Sequence, residues 1–444
     1  METLLDRLHR LPHPLPPAAS DALADELSLR RGAVAEFVSF YSAFGIPQDA
    51  VRVCTGPLCG CLGAEPPAGA VASPCLGHCD LAPVQLHGET VVPPVVHRTN
   101  LALEEQPFAR VPAPGRVLAE LDAAGLRGYG GAGFPTASKW RAVLAEPGPR
   151  VVVVNADEGE PGTFKDRYLL ELRPRLVVEG ALIAMQTLGA DEGFVYLREE
   201  YATARGRLTE ALDGIDNLRI VVGGGSYVCG EETALLESME GRRGMPRLRP
   251  PYPAQRGLFG RPTLVQNVET LAWVAEIVRR GGAWYAGAGQ PRLWSVSGCV
   301  AEPGCYEAPG GISPRRLIEE YAGGATEEIG AFVPGGAAAG LLPPSELDQP
   351  LAGGSGALTV FPARIPIRAI LERTMAFFAE ESCQKCTPCR IGTRALRDVA
   401  AGERRLPRLE DWLLAMEQGS ICGLGQSAPK PVRDVLRFWP EALA

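Results

Sequence analysis

The stretch that decides the fold is "RVVVVNADEGEPGTFKDR", residues 150–167. Its four consecutive valines are typical of a strand buried on both faces, as in a parallel sheet covered by helices. Asn155 and Asp157 end this strand, and Glu158 and Glu160 follow in a glycine- and proline-containing turn. Clustered carboxylates are costly unless they accept hydrogen bonds, and open α/β sheets bind ligands at the carboxyl ends of their strands. A ligand site is therefore predicted here, with a solvated acidic turn as the alternative.

The segments after this strand alternate between helix and strand. We expect helices in "RLVVEGALIAMQTLG" and "EEYATARGRLTEAL", and strands in "GFVYL" and "LRIVVGGG". A helix is also expected before the strand, in "RVLAELDAAGL". This alternation predicts an α/β domain with a largely parallel sheet.

Two glycine-rich loops belong to the same domain. "GLRGYGGAGFPTASKW" contains Gly128-x-Gly130-x-x-Gly133, formally a dinucleotide fingerprint, but a helical segment precedes it where the fingerprint requires a strand. Its backbone N–H groups and the helix start near Lys139 still suit a phosphate or a flat cofactor. "GGGSYVCGEETALLESMEG" leads from a strand into a helix near Gly230. Together these loops favour a shared nucleotide site over purely structural glycine turns.

The composition limits the functional class. A chain of 444 residues with 46% apolar and 22% charged residues is typical of a globular protein with two to four domains. The net charge of −8 and the absence of a basic run argue against nucleic-acid binding. The sequence has no long apolar window, and "METLLDRLHRLPHPLPP" lacks the apolar region of a signal peptide. We expect a cytoplasmic protein without membrane insertion, whose clustered cysteines are metal or redox ligands.

One cysteine cluster lies near the C-terminus. "ESCQKCTPCRIGT", residues 381–393, spaces Cys383, Cys386 and Cys389 as C-x2-C-x2-C. Two predicted helices follow, and a hairpin between them would return Cys422 to this loop. This spacing predicts a [4Fe–4S] cluster with Cys422 as its fourth ligand. A zinc site is the main alternative, although zinc sites usually use two separated cysteine pairs.

A second set of cysteines lies near the N-terminus. Cys54 and Cys59 form one pair, Cys75 and Cys79 form another, and Cys61 is a spare thiol. Two pairs on two loops suit a [2Fe–2S] cluster, with zinc or a lost cluster as alternatives. The other cysteines are interpreted as core or loop thiols: Cys229, Cys299 and Cys305.

Four long motifs together resemble one family. "GLRGYGGAGFPTASKW", "VNADEGEPGTFKDR", the stretch from "YVCGEETALLESMEG" to "PTLVQNVETL", and "ESCQKCTPCRIGT…GSICGLGQ" resemble the NADH-binding flavoprotein subunit of respiratory complex I. They are also similar to the diaphorase subunits of NAD-reducing hydrogenases and of molybdenum- or tungsten-dependent formate dehydrogenases. "VQNVETLAWVAEIVRRGGAWYA", "SVSGCVAEPG" and "SICGLGQSAPKPV" look more like the formate dehydrogenase branch than the complex I branch.

The N-terminal part resembles a partner of that flavoprotein. "AVAEFVSFYSAFG", "VCTGPLC" and "CLGHCDLAP" are similar to the thioredoxin-like [2Fe–2S] subunit. Only 15 residues separate Cys59 from Cys75, fewer than in that family, so a helix and a strand are expected to be missing. The chain therefore looks like a fusion of a shortened [2Fe–2S] module and the flavoprotein subunit.

The resemblance implies a multidomain α/β fold. The implied parts are a helical hairpin plus shortened thioredoxin-like [2Fe–2S] module (1–92), a linker (93–114), a Rossmann-like FMN/NAD-binding α/β domain (115–288), a small ubiquitin-like α+β insert (289–352), and a C-terminal helical bundle with the [4Fe–4S] cluster (353–444).

The implied function is that of a diaphorase, which moves electrons between NAD(H) and one-electron Fe–S carriers through FMN. The branch of the family implies the beta subunit of an NAD-dependent formate dehydrogenase, whose partner is a large molybdopterin catalytic subunit. The alternatives are the flavoprotein subunit of complex I or of an NAD-reducing hydrogenase, and a non-catalytic Fe–S scaffold.

The resemblance also implies site residues at matching positions. Those for FMN are Gly128, Gly130, Lys139, Asn155, Asp157, Glu158, Tyr227, Gly230, Glu231, Glu232, Asn267 and Thr270. Those for NAD(H) are Phe134, Glu160, Arg249 and Tyr252. Glu158 and Glu231 are expected to tune the flavin, and no side chain is expected to act as a catalytic acid or base, because hydride transfer depends on placement.

Overall fold

A computed structural model describes residues 3–107 and 111–443 of the chain. In the first half its helices are α1 (Leu4–Leu8), α2 (Pro17–Glu26), α3 (Arg31–Phe40), α4 (Pro57–Cys61), α5 (Pro114–Ala124), α6 (Thr136–Leu144), α7 (Lys165–Leu172), α8 (Pro174–Leu188) and α9 (Ala202–Ala211). In the second half they are α10 (Glu232–Met239), α11 (Pro253–Arg256), α12 (Val268–Arg280), α13 (Gly282–Gly287), α14 (Pro314–Arg316), α15 (Ile367–Glu381), α16 (Thr387–Ala401), α17 (Leu409–Gly419), α18 (Gly423–Ser427) and α19 (Pro429–Phe438). The strands are β1 (Val51–Cys54), β2 (Val71–Ser73), β3 (Gln85–His87), β4 (Thr90–Val92), β5 (Arg150–Ala156), β6 (Ala190–Leu197), β7 (Leu218–Val222), β8 (Thr263–Asn267), β9 (Arg292–Gly298), β10 (Gly304–Ala308), β11 (Ile329–Pro334) and β12 (Ala357–Pro362).

The central sheet has the order β7-β6-β5-β8, and all its strand pairs are parallel. Residues 151–154 of β5 are fully buried, as the run of valines predicts. On one face, α8 and α12 pack against β5. The strand order reverses between β5 and β8, and ligands bind at such a switch point in open α/β sheets. This position places the candidate site at the carboxyl ends of β5 and β8.

The N-terminal helices cover the other face of the same sheet. Leu5 and Phe37 belong to one buried cluster with Val153 of β5 and Tyr196 of β6. The expected domain 1–92 groups α1–α3 with the Fe–S module, and the structure instead adds these helices to the central domain. The reason is that a sheet with two apolar faces needs a helical layer on each.

The expected N-terminal Fe–S module contains a small sheet of order β2-β1-β3-β4. Strands β1 and β2 are parallel, whereas β3 and β4 form an antiparallel hairpin beside β1. This is the strand arrangement of a thioredoxin-like sheet, so the expectation of a missing strand is wrong. The short spacing between Cys59 and Cys75 is accommodated by reducing the helix to α4 and β2 to three residues.

Residues 93–107, most of the expected linker, pack against both the ubiquitin-like insert and the central domain. The backbone oxygen of Arg98 accepts a hydrogen bond from Cys305 N at 3.0 Å, and Leu103 is buried. Because the segment finds hydrogen-bond partners on β10, it is a fixed part of the fold. Residues 108–110 of the expected linker lie outside the described residues.

The insert is a mixed sheet of order β10-β9-β12-β11 with β9 and β12 parallel at its centre. Helix α14 continues into a π-helical turn at Leu317–Tyr321 and packs on this sheet. This is a ubiquitin-like arrangement. The expected boundary at residue 352 is too early, because β12 completes the sheet by pairing with β9.

The C-terminal region is helical. Helices α15 and α16 pack together, and α17 follows α16 and packs against it. Helix α15 also packs against α4 of the expected N-terminal Fe–S module, so the two cysteine-bearing regions are in direct contact. Among the described residues, no helix has the length and apolar character needed to cross a membrane.

Candidate functional site

The glycine-rich loop lies between α5 and α6, without a preceding strand, as its helical context predicts. Gly128 N donates to the backbone oxygen of Phe134 at 2.9 Å, which closes the loop on itself. Tyr129 N donates to Thr270 Oγ1 at 2.9 Å, and a Cβ added to Gly130 would lie 3.3 Å from the Cβ of Asn267. The loop backbone therefore lies directly against the start of α12, at the end of β8.

The end of β5 meets the turn before α10. Asn155 Nδ2 donates to the backbone oxygen of Gly230 at 2.9 Å, and a Cβ on Gly230 would lie 3.0 Å from the backbone oxygen of Asp157. Asp157 Oδ2 is buried and has no hydrogen-bond partner among the described residues. Burial raises the pKa of Asp157 to about 8. An unpartnered buried carboxylate is costly, so this atom fits a ligand that brings a hydroxyl donor, such as the ribityl chain of FMN.

Glu158 is engaged by the protein itself. Its carboxylate accepts hydrogen bonds from Asp166 N at 2.9 Å, from Arg167 N at 3.1 Å and from Tyr201 Oη at 3.2 Å. Burial raises the pKa of Glu158 to about 7. The side chain thus ties the loop after β5 to the first turn of α7, and its tuning of the flavin stays a prediction.

Three charged side chains meet at the partly exposed edge of the site. Lys139 Nζ lies 2.7 Å from Glu232 Oε2, and Arg249 Nη1 lies 3.4 Å from Glu232 Oε1. Glu231 caps α10, because its Oε2 accepts a hydrogen bond from Ala234 N at 2.9 Å. The two cations could bind an anionic part of a nucleotide at this edge.

Two predicted NAD(H) residues present exposed rings. Phe134 in the glycine-rich loop is 55% exposed, and Tyr252 before α11 is 53% exposed. Large exposed aromatic side chains are suited to stacking on a ring ligand. Glu160, another predicted NAD(H) residue, is less available to bind a ligand, because its carboxylate accepts hydrogen bonds from Tyr227 Oη at 2.5 Å and from Ala338 N at 2.8 Å.

The start of α12 is held by a buried polar network that was not anticipated from the sequence. Asn267 Oδ1 accepts a hydrogen bond from Thr270 N at 3.2 Å, and Asn267 Nδ2 donates to Asp166 Oδ2 at 2.7 Å. Lys165 Nζ lies 2.7 Å from Asp166 and 3.3 Å from Glu269. The sequence signal for this network was the charged run "KDR" directly after the glycine turn. All three of these side chains are buried at the start of α7.

Tyr227 connects this site to the C-terminal helices. Its backbone N donates to Glu381 Oε2 at 3.0 Å, and its ring lies edge-on to Phe377 with the centroids 5.0 Å apart. Both partners belong to α15, which ends two residues before Cys383. The predicted flavin loops and the first cysteine loop are therefore in direct contact.

The structure brings Cys422 to the three cysteines of the C-terminal loop. The hairpin of α16 and α17 returns the chain, and a Cβ on Gly425 would lie 2.8 Å from the Cβ of Cys389. Cys389 and Cys422 are buried, whereas Cys383 and Cys386 are half-buried. Burial raises the pKa of Cys389 to about 12, so thiolates form here when positive metal charge compensates them. The donor set fits a [4Fe–4S] cluster.

The four predicted N-terminal ligands are also buried together: Cys54, Cys59, Cys75 and Cys79. The hydrogen bond between Cys75 and Cys54 raises the pKa of Cys75 to about 12. Gly162 N, in the loop after β5, donates to Cys79 Sγ at 3.3 Å. In the described part of the chain, no three His, Cys, Asp or Glu side chains are arranged around a single metal ion. The ligands of an Fe–S cluster need not surround one ion. In a [4Fe–4S] cluster each thiolate binds a different iron, and in a [2Fe–2S] cluster each iron is bound by two thiolates.

Arg198 is a further residue that was not anticipated from the sequence. Its Nη1 donates to the backbone oxygen of Glu158 at 2.6 Å, its Nη2 donates to the backbone oxygen of Cys75, and its Nε donates to Glu200 at 2.8 Å. It follows β6, so it stands at the same edge of the parallel sheet as Asn155 and Asp157. Its position directly after a predicted strand could have indicated from the sequence that Arg198 lies near the site.

Comparison with known proteins identifies the family. Residues 121–276 match the Nuo51 FMN-binding domain, and residues 369–444 match the NADH-ubiquinone oxidoreductase-F iron–sulfur binding region. The chain is 41% identical over 367 residues to the NADH-quinone oxidoreductase F subunit 2 of Rhizobium meliloti (strain 1021), covering 73% of this chain and 87% of that protein. It is 38% identical over 365 residues to the NADH-quinone oxidoreductase F subunit of Aquifex aeolicus (strain VF5), covering 74% and 85%.

A solved structure is similar over the whole chain. The crystal structure of NAD+-reducing [NiFe]-hydrogenase in the H2-reduced state contains a chain with 33% sequence identity and a TM-score of 0.88. The match covers 100% of this chain and 92% of that one. Together with the matched domains, these similarities confirm the resemblance seen in the motifs. The chain belongs to the family of NADH-quinone oxidoreductase F subunits, and it is an NADH-binding oxidoreductase subunit with an FMN-binding domain and a [4Fe–4S]-binding region.

Proposed function

We propose that this chain is a diaphorase that passes electrons between NAD(H) and an electron-transfer partner through FMN and the cluster of Cys383, Cys386, Cys389 and Cys422. The contact of Tyr227 with Glu381 and Phe377 carries the proposal, because it joins the flavin loops to the helix that leads into the first cysteine. When bound, FMN supplies the conversion between two-electron hydride transfer and single-electron steps.

The side chains of the site bind FMN and NAD(H) and orient them. Asn155 holds the turn at Gly230 in place, and Asp157 accepts a hydrogen bond from a ribityl hydroxyl. Lys139 and Arg249 contribute positive charge at the edge, and Phe134 stacks on NAD(H) together with Tyr252. Hydride transfer needs close, aligned placement of the two rings, so no protein acid or base takes part in that step.

We also assign a [2Fe–2S] cluster to Cys54, Cys59, Cys75 and Cys79. The support is that all four thiols are buried in one module beside the loop after β5, with Gly162 N bonded to Cys79 Sγ. The thioredoxin-like sheet that carries them keeps its four strands despite the short spacing. The module is therefore structurally equipped to hold the cluster.

For the electron partner we propose a large molybdopterin subunit of the formate dehydrogenase type, on the basis of the three sequence stretches most similar to that branch. An NAD-reducing [NiFe] hydrogenase is the second candidate, because a chain of that enzyme matches all of this chain with a TM-score of 0.88. Purification of the native complex decides between them. Formate-dependent reduction of NAD+ supports the first partner, and H2-dependent reduction supports the second.

Activity of the isolated chain tests the central proposal. The FMN-loaded protein is expected to reduce ferricyanide or a viologen with NADH, and failure to do so with FMN bound would overturn the enzyme assignment. Iron analysis with EPR of the NADH-reduced protein tests the clusters. About six irons per chain are expected for both clusters, whereas about four would mean that the N-terminal module is empty.

A further inference from the structure

One arginine joins the flavin loop to the second cysteine pair. Arg198 is 7% exposed and follows the last residue of β6. Its guanidinium donates to the backbone oxygen of Glu158 at 2.6 Å and to the backbone oxygen of Cys75. One buried cation therefore bridges the loop that lines the flavin site and the loop that carries two [2Fe–2S] ligands.

Two other contacts fasten the same pair of loops. Tyr201 Oη donates to Glu158 Oε2 at 3.2 Å, and a Cβ on Gly77 would lie 2.6 Å from Tyr201 Oη, so only glycine fits there. Gly162 N donates directly to Cys79 Sγ at 3.3 Å. Hydrogen bonds to the sulfur atoms of a cluster affect its reduction potential, so any shift of the flavin loop acts on the cluster.

The charges around Arg198 set the sign of its effect. Arg198 Nε lies 2.8 Å from Glu200 Oε2, whereas the neighbouring Glu199 has its own cation, Arg52. Arg52, Arg198 and Glu200 line a cavity of about 50 Å³ between the Fe–S module, the central domain and α15. Without Arg198, the Glu200 carboxylate would lose its ion-pair partner, and the backbone oxygens of Glu158 and Cys75 would lose a hydrogen-bond donor. Adding an electron to a cluster beside unbalanced negative charge is unfavourable at low dielectric.

We propose that Arg198 is a positioning residue that holds the Cys75–Cys79 loop against the flavin loop and raises the reduction potential of the [2Fe–2S] cluster. The inference rests on the proposed [2Fe–2S] assignment. Reduction adds one electron to the cluster, converting one ferric iron to ferrous, and NADH or dithionite supplies that electron. The Arg198 charge thereby makes the cluster easier to reduce than it would be without that cation.

The test is an EPR-monitored redox titration of the full FMN-loaded chain. Arg198→Gln removes the positive charge. Arg198→Lys keeps the charge but lacks the planar guanidinium that donates to the backbone oxygens of both Glu158 and Cys75. Arg205→Gln is the matched control, because Arg205 is a partly exposed arginine on α9 that pairs with Glu89. The [4Fe–4S] signal of the same molecule serves as an internal reference.

We expect Arg198→Gln to make the [2Fe–2S] cluster at least tenfold harder to reduce, which is about 59 mV for one electron. Arg198→Lys should recover part of this shift, and both the Arg205→Gln protein and the [4Fe–4S] signal should stay unchanged. Loss of two irons in Arg198→Gln, with retention in Arg198→Lys, would support the positioning role. An unshifted [2Fe–2S] potential in Arg198→Gln with its iron intact would overturn the inference. About four irons in the unaltered chain would instead overturn the [2Fe–2S] assignment itself, so the two failures are distinguishable.

Discussion

Asp157 Oδ2, which is buried without a hydrogen-bond partner among the described residues, predicts that the stability of the flavin-free protein depends on pH. Burial raises the pKa of Asp157 to about 8, whereas the same group in the unfolded chain ionises near its ordinary value of 3.8. Between these values the unfolded state is ionised and the folded state holds a proton. Stability therefore falls as the pH rises through this window and levels off above the folded pKa. Replacement by asparagine, which is neutral and similar in shape, removes this dependence.

The magnitude follows from the linkage relation. Each pH unit inside the window costs about 1.36 kcal/mol per titrating group, so the interval from about pH 5 to about pH 8 costs up to about 4 kcal/mol. The Asp157→Asn protein should lose no folding stability from this titration. Relative to the unaltered chain, the variant should therefore gain stability steadily across the interval.

Thermal unfolding of the flavin-free chain at several pH values measures the difference. The control is Asp213→Asn, because Asp213 is exposed in a turn after α9. The control should show the pH profile of the unaltered chain. Parallel profiles for Asp157→Asn and the unaltered chain would show that the buried carboxylate is compensated, which would refute the reasoning.

Three other substitutions test separate parts of the structure. Cys422→Ser should abolish the [4Fe–4S] signal and lower the iron content by about four per chain while the [2Fe–2S] signal persists; an intact [4Fe–4S] spectrum would exclude Cys422 as a ligand. Phe134→Ala should raise the KM for NADH about tenfold with little change in kcat, because stacking contributes roughly 1 kcal/mol or more; an unchanged KM would remove Phe134 from the NAD(H) site. Phe37→Ala should lower the free energy of unfolding by about 3–5 kcal/mol, since Phe37 is fully buried against the central sheet, whereas Leu29→Ala, at an exposed position, should have little effect. Equal losses in a denaturation experiment would contradict the placement of α3 on that sheet.

Local patterns predicted much of the fold. The run of valines before Asn155 predicted the buried strand β5, and the helical segment before Gly128 correctly separated its loop from a dinucleotide fingerprint. The spacing of Cys383, Cys386 and Cys389 pointed to a cluster, and Cys422 lies with them in the structure. The strand, the helix and the three-cysteine loop each depend on residues close in sequence, so their hydrophobic period and spacing can be read directly from the sequence.

The expectations that failed concern how elements pack. Nothing in the period of "GAVAEFVSFYSAF" shows whether α3 covers the Fe–S module or the central sheet. The missing strand was inferred from a short spacing, yet three residues, Val71–Ser73, suffice to pair with β1. The boundary at residue 352 failed because β12 pairs in parallel with β9, about sixty residues earlier in the chain, and local sequence does not encode such a partner.

The sequence by itself determined the kind of chemistry: glycine loops at the carboxyl edge of a parallel sheet and two sets of clustered cysteines. Only the tertiary structure decided how those parts are joined. Tyr227 meets Glu381, Gly162 N meets Cys79 Sγ, and the Arg198 guanidinium reaches both Glu158 and Cys75. The physical reason is that a hydrogen bond between distant segments exists only after both are packed into place. Their residue types alone do not reveal which partner each will find.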